Sequence, residues 1–151
     1  MKYCLYSLLV FCISCNCYKG KSQQKPGSQE QELTMIMSDT YGGEEKEGVL
    51  TIRDKKALNA FFAKINRTRK PGLAVPQIDF DNDLVIVYFM GETRQEELPV
   101  LSVQELSEER VILSPANITA GDKEKINSAL LRPFGLYIMP RTGKEVVLIK
   151  E

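Results

Sequence analysis

The sequence predicts an α+β domain, a small and mostly antiparallel β-sheet of barrel-like character carrying one well-defined amphipathic helix. Three observations predict it. The run Leu84 to Met90 is seven consecutive apolar residues, β-branched and aromatic, ended by Gly91, which marks a central strand buried on both faces. Between Lys55 and Asn66 the apolar residues Leu58, Phe61, Phe62 and Ile65 recur at i, i+3, i+4 and i+7, the stripe of a single amphipathic helix. The remaining apolar segments are short and separated by Gly, Pro, Asn and Asp, as strands joined by turns are.

Taken in order, Leu33 to Met37 reads as the first strand, residues Tyr41-Gly42-Gly43 as a turn, and Val49 to Arg53 as the second strand. Asp54 ends that strand and supplies a carboxylate to cap the helix that follows. The stretch Arg67 to Pro76 holds Pro71-Gly72 and Pro76 and reads as a loop. Ile78-Asp79-Phe80 leads into the central strand, whose two apolar faces call for the helix on one side and more sheet on the other. Val100 to Leu106 and Arg110 to Leu113 form a strand pair through the Ser107-Glu108-Glu109 turn. Leu136 to Met139 and Val146 to Ile149 form a further hairpin around residues Pro140 to Lys144. Between the pairs, Asn117 to Leu131 is expected to include a helical turn with Ile126, Leu130 and Leu131 facing inward.

The N-terminus carries an address. All four cysteines, Cys4, Cys12, Cys15 and Cys17, lie in the first seventeen residues. Lys2 provides a positive start, Leu5 to Ile13 a short apolar run, and Ser14 a small residue directly before Cys15. Such a run has the length of a secretory h-region, about 7–15 residues, and is too short for a bilayer-spanning helix of about 20. The pattern resembles a bacterial lipoprotein signal with Cys15 as the acylated residue, although Cys12 stands where Leu is usual. The expected organisation is a signal peptide over 1–14, the acylated Cys15 with a polar Gln- and Ser-rich tether over 15–32, and the folded domain over 33–151. Two or more acyl chains anchor stably, and the tether has a coil reach on the order of 20 Å. The expected location is the bacterial cell envelope, lipid-anchored and facing the periplasm or the outside.

Composition narrows the chemistry. The chain has no His and no Trp, and no Cys beyond residue 17, which excludes Ser-His-Asp and cysteine hydrolases and His- or Cys-ligated zinc from the folded part. Without disulfides, hydrophobic burial has to stabilise the domain. Twenty basic and twenty acidic residues balance, with no block of one sign that would suit nucleic acid. Asp79-Phe80-Asp81-Asn82-Asp83 begins like a calcium loop, but its sixth and twelfth positions are Leu84 and Met90 rather than Gly and Glu. No metal or cofactor is expected. The acidic groups Glu44, Glu45, Glu47 and Glu92, Glu96, Glu97 would serve a carboxylate hydrolase only if two acids met in a cleft, and no catalytic residue is assigned. Asn66-Arg67-Thr68 and Asn117-Ile118-Thr119 match the glycosylation pattern, which is short enough to arise by coincidence.

The Tyr-Gly-Gly turn, the paired Phe61-Phe62, the lead-in Pro76-Gln77-Ile78-Asp79-Phe80 and the final Arg132-Pro133-Phe134-Gly135-Leu136-Tyr137-Ile138-Met139-Pro140-Arg141 together resemble the C-terminal domain of the PrcB protease-complex subunits, over about Leu33 to Glu151. The resemblance implies a non-enzymatic, lipid-anchored accessory protein that associates with or stabilises a secreted subtilisin-like protease. Residues Gly91 to Pro99 depart from that family, which carries a Gly-Gly-Tyr-containing segment there. Arg132-Pro133-Phe134 is also similar to the Arg-Pro-aromatic loop of chagasin-like protease inhibitors, which gives a protease-inhibitor alternative. The expected partner is therefore an exported protein, contacted through Tyr41, Arg94, Phe134 and Arg141, since aromatic and Arg side chains dominate hot spots. A surface module binding a small ligand or glycan between helix and sheet is the other alternative.

Overall fold

The computed structural model describes residues 32–95, 99–116 and 126–149. The expected signal peptide, Cys15, the tether up to residue 31, Glu96, Glu97 and Asn117 lie outside the described residues. Among those described, the chain forms β1 (Thr34–Asp39), β2 (Glu47–Ile52), α1 (Lys55–Asn66), β3 (Asp83–Met90), β4 (Thr93–Gln95), β5 (Leu101–Leu106), β6 (Arg110–Pro115), β7 (Ile126–Leu131), β8 (Phe134–Pro140) and β9 (Glu145–Leu148). The main sheet is antiparallel with the order β1-β8-β3-β2, a second sheet has the order β5-β6-β9, and β4 pairs with β7. This is the α+β class the sequence predicts, mostly antiparallel with a single helix.

The seven-residue apolar run works as expected. Alternation along β3 sends Val85, Val87 and Phe89 to the face covered by α1, and Leu84, Ile86 and Tyr88 to the face covered by β5, β6 and β9. On β8, Leu136 joins the helix-side cluster and Tyr137 the opposite one, in step with their β3 partners Val87 and Ile86. The helix contributes Leu58, Phe61, Phe62 and Ile65, all buried. Each such side chain contributes about 1.5–3 kcal/mol, so two continuous apolar layers offset the absence of disulfides. Phe61 packs edge-on to both Phe62 and Phe134, with ring centroids 5.5 and 5.7 Å apart. At the start of α1 the Asp54 side chain accepts from the Ala57 amide at 2.8 Å, the expected cap.

Glycine is required where the chain turns at the end of β3. Gly91 has φ +82°, and an added Cβ would lie 3.0 Å from the Glu47 nitrogen. Gly43, between β1 and β2, donates to the Arg132 carbonyl at 2.9 Å, and an added Cβ there would be only 2.6 Å from that oxygen.

Two expectations are corrected. The last two strands do not form a hairpin: β8 lies between β1 and β3, while β9 leaves that sheet and pairs parallel with β6. Val146 and Leu148 then pack under the second apolar cluster, which a hairpin with β8 would have denied them. The expected helical turn before residue 131 is replaced, over its described part, by β7, whose Thr93 and Gln95 partners come from β4. Leu131 is buried, as expected, but Leu130 is 49% exposed, because neighbours in a strand face opposite ways.

Candidate functional site

The site begins with an edge. β2 is the terminal strand of the main sheet, paired only with β3, and α1 returns across the sheet beside it. The side chains of Leu50 and Ile52, and the bare position at Gly48, belong to the helix face, but α1 covers only the Ile52 end. Ile52 is 2% exposed and Leu50 is 42% exposed, and a Cβ added to Gly48 would meet nothing within 4 Å. On the helix, Ala57 and Ala60 border the buried stripe and present small side chains toward the strand, with Lys64 beyond them. The result is a groove of about 680 Å³, with Leu50, Ala57, Ala60, Phe61 and Phe89 along its walls and Glu44, Lys46 and Lys64 at one mouth. Lys64 donates to Glu44 at 2.5 Å. A smaller cavity of about 410 Å³ lies at the other end of α1, among Lys55, Leu58, Asn59, Gln77 and Phe80.

The sequence-predicted contacts fall in several places. Tyr41 is 49% exposed in the turn after β1; its amide donates to Asp39 Oδ1 at 2.8 Å and its carbonyl accepts from Arg69. Arg69 also clasps the Asp39 carboxylate through two bonds of 2.9 and 2.5 Å. Burial pushes the Asp39 carboxyl up, but the Arg69 hydrogen bonds, the Tyr41 amide and the Arg69 charge together hold it below the usual carboxylate value. This clasp and Gly42, whose added Cβ would lie 3.5 Å from Ile65 Cβ, set the turn against the end of α1, next to the charged mouth of the groove. Arg94 is exposed on β4.

Phe134 is corrected. It is the first residue of β8 and fully buried against Phe61, so it packs the core and offers no surface to a partner. Arg141 is exposed and donates to the Phe80 carbonyl, but it lies beyond Pro140, which pairs with Asp83 at the far end of the β3–β8 ladder. At about 3.4 Å per residue the ladder separates Arg141 from the Tyr41 end by about 20–25 Å. The two therefore stand at opposite ends of the ladder.

Among the described residues the acidic groups are engaged. Arg132 Nη2 lies 3.0 Å from Glu45 and 2.6 Å from Glu92, and the Glu92 hydrogen bond, with both carboxylates' charge, raises the Arg132 guanidinium above its ordinary value. Glu47 accepts from the Tyr88 hydroxyl at 2.9 Å. Asp79 closes its own turn: its carboxylate accepts from the Asp81 amide at 3.1 Å and from Asn82 Nδ2 at 2.8 Å. The Asn82 bond leads in lowering the Asp79 carboxyl. Among the described residues no cluster of three or more acidic side chains is arranged to hold a metal ion, and no helix is long and apolar enough to cross a membrane. The Asn66 amide is occupied by both backbone groups of Leu73, at 2.8 and 2.7 Å.

Comparison with family models, with curated proteins and with solved structures finds no match.

The sequence offers a ligand site between helix and sheet as an alternative; what it misses is which residues form the groove there. Its only linear signal is an apolar Leu50 in a strand that lacks a second neighbour, together with Ala57 and Ala60 beside the helix stripe. Neither residue points to a site until the fold brings them face to face.

Proposed function

We propose that this protein is a non-enzymatic, lipid-anchored module of the bacterial cell envelope that binds another exported protein. The observation that carries the reading is the apolar groove between α1 and the outer strand β2, an open trough of about 680 Å³ with charged residues at one mouth. Exposed apolar surface bounded by charge is the usual form of a protein-binding site. The lipoprotein-like leader supplies the address, and a domain without His or Cys suits holding better than hydrolysis. A subtilisin-like protease is the partner suggested by the resemblance to PrcB C-terminal domains. Of the four contacts read from sequence, Tyr41 lies in the turn set against the end of α1, and Arg94 is exposed on β4, outside the main sheet.

A photo-crosslinking residue at Leu50 of the lipidated protein, in its own envelope, tests this. Expected is an adduct with one exported protein that is absent when the same residue replaces Glu105 on the second sheet. A Cys15→Ala form should leave the membrane fraction. Equal or no adducts at both positions would sink the reading. The smaller cavity, with polar Lys55, Asn59 and Gln77 around Leu58 and Phe80, favours the ligand alternative instead, and glycan binding lost on Asn59→Leu would support it.

A further inference from the structure

We infer that β2 is an acceptor strand, whose free edge takes an extended segment of the partner as an added strand lying along α1, with an acidic side chain beside Lys46. This rests on the protein-binding reading above and specifies how the partner is held.

Sheet edges are normally blunted by bulges, charges or proline, because their unpaired N–H and C=O groups recruit other strands. The two edges of the main sheet differ in this respect. β1, at one edge, breaks its register with β8 between Met35 and Met37. β2, at the other, runs in unbroken register with β3 from Glu47 to Ile52, with neither charge nor proline among residues 48–52. Among the described residues, no backbone hydrogen bond other than those to β3 satisfies residues 48–52. Arg53 closes the far end by donating to the Thr142 and Lys144 carbonyls at 2.5 and 3.3 Å, which leaves the opening beside Gly48 and Leu50.

The groove fits what a strand needs. Residues 48–51 offer about 14 Å of backbone, bordered by the apolar wall that Ala57, Ala60 and Phe61 of α1 provide. An added strand places alternate side chains toward the helix, where Ala57 and Ala60 leave room and the exposed Leu50 gives an apolar floor. Backbone pairing then provides affinity and alternate pockets provide selectivity. Charge sets the polarity of the match. At the mouth, Lys64 is satisfied by Glu44, whereas Lys46 is exposed and has no ion pair among the described residues. The complement of that cation is a carboxylate on the partner.

A library of ten-residue peptides displayed on phage, selected on the full lipidated chain in detergent micelles, tests the inference. Enriched peptides should alternate β-branched with polar residues, lack central proline and carry Asp or Glu at one end. When bound, they should slow amide exchange within residues 48–51 by about tenfold. Lys46→Ala should weaken the acidic peptides by about threefold, and Lys46→Glu should select basic ones instead. Leu50→Lys, at an exposed position, should abolish selection while leaving the melting temperature in place. Proline-rich peptides, protection confined to β1, or no enrichment would overturn the acceptor-strand inference. If the Leu50 crosslink still captured an exported protein, the protein-binding reading would survive that failure; without the crosslink, both would fall.

Discussion

The hydroxyl of Tyr137 donates to the carbonyl of Pro99, joining β8 of the main sheet to the segment that begins β5 in the second. The phenol is 2% exposed, and burial pushes it up to about 12, against a smaller lowering by the Leu101 backbone. Removing the hydroxyl orphans a buried carbonyl, so Tyr137→Phe should cost about 1–3 kcal/mol, read as a lower urea midpoint at pH 7.

The same phenol predicts an alkaline limb. Because its folded value lies above the ordinary 10, the neutral form stabilises the fold fully below pH 10, and that contribution falls as pH rises from 10 to about 12. Each pH unit in that window removes about 1.4 kcal/mol. Denaturation from pH 8 to 12 should therefore show a stability difference between wild type and Tyr137→Phe that shrinks across the window.

Asp39 predicts the acid limb. Its folded value is lowered, so its contribution is present above the ordinary 3.8 and is lost as pH falls through the depressed value. Asp39→Asn should cost about 1.5–3 kcal/mol at pH 7, in the range for hydrogen bonds to a charged group. The deficit should shrink in melts taken at successively lower pH below 3.8.

Phe134 separates core from contact. With its ring buried between α1 and the sheet, Phe134→Ala should cost about 3–5 kcal/mol. Tyr41→Ala, at an exposed turn, should change stability by about 0.5 kcal/mol or less. Equal and small shifts in the two thermal melts would contradict the packing described.

Gly43 predicts a steric defect. An added Cβ would meet the Arg132 carbonyl at 2.6 Å, and neither backbone can give way without breaking the bond between them. Gly43→Ala should destabilise by about 1–3 kcal/mol, while Gly48→Ala, in open space, should be tolerated to within about 0.5 kcal/mol.

What was legible in the sequence was whatever its own neighbours determine. The helix over Lys55–Asn66, its Asp54 cap and the two-faced strand at Asp83–Met90 follow from period, capping chemistry and an unbroken apolar run. The pairing of β9 was not legible. Residues 140–144 carry good turn chemistry, yet Val146 and Leu148 gain more by covering the second cluster beside β6 than by extending β8. At β7, apolar residues four and five apart suited a helix as well as a strand, and only pairing with the short β4 decided between them. Phe134 followed Arg132-Pro133 and read as a loop tip, although β8 begins on it. The groove required β2 and α1 in register, which no local pattern encodes.

The position of β8 also sets an order of assembly. It is wedged between β1 and β3, although roughly a hundred residues separate β1 from it along the chain, and such distant pairings slow folding toward the millisecond-to-second range. Until β8 arrives, β1 has no neighbour and the sheet is no wider than β2 and β3. A chain whose sheet closes this late keeps its main sheet two strands wide while most of it is already made.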